Sequence, residues 1–111
     1  MRRRSRKSHT IQRLVWELGC LDQRAALRAE GRLIKIGVPA VPLLIRAAAS
    51  DDAQTRFRAV WALGKIGDPR ALLVVVTLTN DPDARVAYDA ASALRELKGD
   101  RHAAGDVEAV L

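Results

Sequence analysis

Phe57, Arg58, Trp61 and Lys65 stand within nine residues of one another. They are residue types that grip another molecule, two flat apolar rings and two positive charges. On an α-helix, Phe57, Trp61 and Lys65 fall at i, i+4 and i+8, which places them on one stripe. Such a stripe can hold a peptide or a base, but it has no nucleophile and no acid–base pair. Elsewhere there is no glycine-rich phosphate loop, no serine elbow, and no histidine with an acid at fixed helical spacing. Most carboxylates sit where helices should begin, and capping and the helix dipole account for them there. His9 and His102 stand alone, and Cys20, directly after Gly19, reads as a small buried hydrophobe rather than a nucleophile. The expectation is a binding protein with no catalytic residue, no metal and no cofactor.

The elements that would carry this stripe show up as a repeat. Ala62 to Pro69 reads ALGKIGDP, and Arg32 to Pro39 reads RLIKIGVP, with five identities at a spacing of 30. A weaker third copy places Ala93, Leu94 and Leu97 at a spacing of 31 from Ala62, Leu63 and Ile66. Each copy reads as a helix with an aspartate at its start and a glycine at its end. The expected helices are Gln23 to Ile36 between Asp22 and Gly37, Ala53 to Ile66 between Asp52 and Gly67, and Ala84 to Leu97 between Asp83 and Gly99. Shorter proline-led segments, Pro39 to Ala49 and Pro69 to Thr79, lie between them. Val74 to Val76 could mark a strand; the equivalent stretch Leu43 to Ala49 is not strand-like, and a lone strand would have no partner. Flanking helices are expected over Thr10 to Leu18, with Ile11, Leu14, Val15 and Leu18 on one face, and over Ala103 to Val110.

Composition agrees with an all-α chain. Of 111 residues, 49% are hydrophobic but only 4% aromatic, so the apolar content is mainly the alanine, leucine, valine and isoleucine of closely packed helices. The net charge of +6 is local: Arg2, Arg3, Arg4, Arg6 and Lys7 supply five cations, leaving 14 basic against 13 acidic residues. Residues 1–9 read as a basic tail with too little apolar surface to fold, and residues 10–111 as one domain. The basic start is followed by Ser8, His9 and Thr10 rather than an apolar run, so it does not resemble a secretory signal. The apolar stretch Ala71 to Leu78 is too short to span a bilayer, and a cytoplasmic protein is expected.

Asp81-Pro-Asp-Ala-Arg-Val, the Ala90-Ala91 and Ala93-Leu94 pairs and Ala62-Leu-Gly-Lys-Ile-Gly-Asp-Pro resemble HEAT-like repeats, in particular the short subtype of phycobilisome-lyase-type proteins. The resemblance covers roughly residues 10 to 100 and implies an α-α superhelix, a short solenoid of about three helix pairs plus a C-terminal helix. It departs at Ala87, where the family often carries arginine; the second unit keeps Arg56 there. It implies that the second helix of each pair lines a concave face. The repeat register then sets Leu27, Arg28, Gly31 and Lys35 on one side of Phe57, Arg58, Trp61 and Lys65, and Tyr88, Asp89, Ser92 and Glu96 on the other.

The expected partner-binding residues are Arg28, Lys35, Phe57, Arg58, Trp61, Lys65 and Tyr88, docking an acidic or extended segment of a protein. Trp61 could instead fill space between helices, and Arg24, Arg28 and Arg32 could be an ordinary solvated face. A nucleic-acid reading would use Arg2, Arg3, Arg4, Arg6 and Lys7 on phosphates and the rings on bases; the near-neutral body argues against it. A third reading, bilin attachment, rests on the resemblance alone. A homodimer through the ends, or membership of a longer array, is a further expectation, since few repeats expose apolar ends.

Overall fold

The computed structural model describes residues 2–99, and they form six α-helices. These are α1 (Arg2–Glu17), α2 (Gln23–Ile36), α3 (Val41–Ala47), α4 (Ala53–Ile66), α5 (Leu72–Leu78) and α6 (Ala84–Leu97). Among the described residues there is no strand. The three long helices α2, α4 and α6 have the bounds that the repeat implied, because both signals are local. Asp22, Asp52 and Asp83 are extended in backbone, and their carboxylates accept from the amides of Arg24, Thr55, and Arg85 with Val86. At the other end, Gly67 takes φ 78° and ψ 20°, the left-handed turn that stops a helix, and its N–H donates to the Leu63 carbonyl. The short segments each begin with a turn of 3-10 helix, Val38–Ala40 and Pro69–Ala71, before α3 and α5. Val74 to Val76 lie inside α5, so the strand alternative falls: a seven-residue β-branched helix is held by what it packs on.

The chain stacks as two layers, with α2, α4 and α6 side by side and α1, α3 and α5 packed behind them. Leu14, Leu18, Leu33, Leu44, Leu63, Val41, Val60, Val75 and Val86 are fully buried between the layers, with a set of alanines that lets the helices approach closely. α1 begins at Arg2 rather than at Thr10, and its Ile11 and Leu14, with Leu18 in the turn that follows, are buried in the core that α1 shares with α2 and α3. The side chains of residues 1–6, and with them the four tail cations Arg2, Arg3, Arg4 and Arg6, lie outside the described residues, as does the helix expected over Ala103 to Val110; Lys7 is exposed.

Along the edge formed by the loops, each junction between units has its own polar tie. Gln54 donates from Nε2 to the Leu18 and Cys20 carbonyls, both at 3.0 Å. Arg56 spans the next junction: Nε and Nη2 donate to the Asp81 carboxylate at 2.8 and 3.1 Å, and Nη1 donates to the Ser50 and Asp51 carbonyls. That fork holds the Asp81 carboxyl below its usual range, chiefly through the direct hydrogen bond. In the third unit, Ala87 occupies the Arg56 position and has no group to make such a tie.

Candidate functional site

On the exposed face of the long helices, a shallow groove of about 280 Å³ is lined by Leu27 and Glu30 of α2, Phe57, Arg58 and Trp61 of α4, and Asp89 of α6. Helical spacing explains why these meet. Phe57 and Trp61 are one turn apart, and the positions flanking Trp61 in the repeat register are Gly31 and Ser92, too small to cover it. Trp61 therefore stands half-buried with one face towards the groove, and the Lys65 ammonium lies 4.5 Å from its ring centroid. Lys65 also pairs with Glu96 at 3.1 Å, the partner that the register set beside it.

Arg58 turns inward. It is 8% exposed, and it is the central member of a line of charges that crosses all three long helices. Its Nη1 lies 3.7 Å from a Glu30 oxygen and its Nη2 donates to Gln23 Oε1 at 2.8 Å. Gln23 in turn donates to Gln54 at 3.1 Å, which carries the network out to the loop edge. The guanidinium lies 5.1 Å from the Phe57 centroid, with that of Arg85 5.4 Å from the same ring. Two polar atoms in this set are buried without a hydrogen-bond partner, Arg58 Nε and Asp89 Oδ2. Loss of water pushes both the Glu30 and the Asp89 carboxyl above the usual carboxylate range, and the Arg58 charge opposes the shift in each. At the groove floor two carboxyls, Glu30 and Asp89, share the one buried guanidinium of Arg58.

The sign of the Asp89 shift gives a test. A carboxyl whose value is raised on folding favours folding when protonated and opposes it when ionised, so its contribution worsens as pH rises above the ordinary aspartate range near 3.9. Asp89→Asn should therefore raise the melting temperature at pH 7, and the advantage should disappear near pH 3. Thermal unfolding at the two pH values checks this; a variant less stable than wild type at pH 7 would contradict it.

Of the seven expected contact residues, the groove lining includes Phe57, Arg58 and Trp61, and Lys65 borders it through Trp61. Arg28 and Lys35 are exposed on α2, outside the lining, and Tyr88 stands 76% exposed on α6 next to Asp89. Leu27, Glu30 and Asp89 belong to the groove without having been expected as contacts, although the register set Leu27 and Asp89 beside Phe57 and Arg58. Glu30 gave a faint signal, being the lone acid of α2. With Glu30 turned towards Arg58, the exposed positions Arg24, Arg28, Arg32 and Lys35 keep an uncompensated positive charge.

A larger hollow of about 660 Å³ lies at the loop edge, where Trp16 and Leu21 are 77% and 95% exposed beside Cys20, Asp52 and Thr55. Asp52 is occupied there as the α4 cap, with its carboxylate accepting from Thr55 N and Oγ1. Among the described residues, no group of three or more His, Cys, Asp or Glu is placed to hold a metal, and no helix is long and apolar enough to cross a membrane.

Residues 11–95 match the family described as HEAT repeats. The match is to HEAT repeats as such, without the phycobilisome-lyase-type subtype that the motifs resemble. No curated protein matches the chain.

Proposed function

The chain belongs to the HEAT repeat family, and we propose that the face of its long helices is a recognition surface for an extended segment of another protein. HEAT repeats generally serve as protein-interaction scaffolds. The observation that carries the reading is the groove itself: Trp61 and Phe57 half-buried between Leu27 and Asp89, on helices whose own packing is complete behind them. Anchors of this kind are held rigid before a partner arrives, so little ordering entropy is lost on binding. Two carboxyls set against one buried guanidinium at the floor offer a phosphate backbone little attraction there, which supports a polypeptide over a nucleic acid.

Selection from a random peptide-display library against the immobilised protein tests this. Bound peptides are expected to lose about 30-fold in affinity, roughly 2 kcal/mol, on Trp61→Ala, with helical circular dichroism unchanged. Absence of any selected peptide, or peptides whose binding ignores Trp61, would overturn the reading. A generic single-stranded oligonucleotide at low salt is the counter-probe, and its tight binding would favour nucleic acid instead.

A further inference from the structure

The groove is electrically graded from one long helix to the next. On α2, Arg24, Leu27, Gly31 and Lys35 follow one stripe at i, i+3, i+7 and i+11, all exposed, with Arg28 beside it. On α4 the middle of the groove is aromatic, and its lysine is already paired with Glu96. On the α6 side, Asp89 lines the groove; its Oδ2 is enclosed without a hydrogen-bond partner, and the guanidinium that acts on its charge, Arg58, is shared with Glu30.

We propose that the partner segment is bipolar: an acidic residue over the α2 cations, an apolar residue between Leu27 and Trp61, and a lysine or arginine seated at Asp89. This rests on the recognition reading above and deepens it. A cation at Asp89 supplies the charge that Arg58 divides between two carboxylates. An acid there would meet Asp89 as a like charge, whereas over Arg24, Arg28 and Lys35 it meets only opposite charge. Packed helices lie about 8–10 Å apart, and an extended chain rises about 3.3 Å per residue, so the three side chains should recur at about every third position.

Selecting the same random library in parallel against wild type and Asp89→Asn reads this out. Wild-type binders are expected to show an acid, an apolar residue and a base at those intervals. Binders of Asp89→Asn should keep the first two and lose enrichment of the base. For one selected peptide, replacing its basic residue by glutamate should weaken binding to wild type at least tenfold and have little effect on binding to Asp89→Asn. Trp61-dependent binders in which the base is not enriched, or is enriched equally with both proteins, overturn the bipolar partner and leave the recognition reading standing. Failure to select any peptide overturns both.

Discussion

Arg58→Met should cost about 3–5 kcal/mol of folding stability at pH 7, because it removes the one cation from a buried set that contains two carboxylates. The guanidinium serves Glu30, Asp89 and Gln23, from three positions on two neighbouring helices. Without it, Glu30 and Asp89 remain desolvated and uncompensated, and both would be driven further towards protonation. The loss should therefore shrink on acidification towards about pH 4, since a carboxyl with a raised value regains its neutral form first. Replacing all three charges together, Arg58→Met with Glu30→Leu and Asp89→Leu, should restore most of the stability, as an apolar set of similar volume has no charge to desolvate. Urea unfolding of wild type, single and triple variants measures this. A single variant within about 1 kcal/mol of wild type would mean that the charges are solvated in spite of their burial.

The second large effect lies where α4 meets α6. Gly64 is fully enclosed there, and a Cβ added to it would stand 2.7 Å from the Ala93 Cβ and 3.0 Å from the Ala93 Cα. Helix propensity alone would favour replacing a mid-helix glycine by any residue but proline. Here contact geometry wins, because the backbone of Ala93 cannot yield without separating two helices that hold Val60, Leu63 and Val86 between them. Gly64→Val should lose about 3 kcal/mol, at the upper end of overpacking effects. Gly31 is the control: nothing lies within 4 Å of its added Cβ, so Gly31→Ala should gain up to about 1 kcal/mol. Opposite signs in the two unfolding midpoints are the expected outcome, and two gains would contradict a close α4–α6 approach.

Much of the scaffold was legible in the order of residues because its determinants are local. An aspartate cap and a closing glycine are set by backbone hydrogen bonding within a few positions, so α2, α4 and α6 could be bounded without knowledge of their neighbours. The repeat register also foretold the Lys65–Glu96 pair, since equivalent positions on stacked helices adjoin one another. The inward turn of Arg58 was not legible. One helical step of 100° separates a residue that faces the groove from one that enters the seam, and only the rotation of α2 and α6 about their axes decides between them. The same rotation brings Glu30 to Arg58, although the register paired Arg58 with Arg28. The amino-terminal extent of α1 had no apolar period to announce it, for Arg2 to Lys7 carry almost nothing but charge.

Two tryptophans make the central proposal directly measurable. Trp61 lines the groove on α4, and Trp16 stands exposed at the loop edge, in the other hollow. Each indole N–H gives its own signal in a nitrogen–proton correlation spectrum of the labelled protein. On titration with a peptide selected against wild type, the Trp61 indole and the amides around Leu27, Phe57 and Asp89 should shift together and saturably, while the Trp16 indole stays in place. Movement of the Trp16 signal with that of Trp61 unchanged would place the partner at the loop edge and contradict recognition by the long-helix groove.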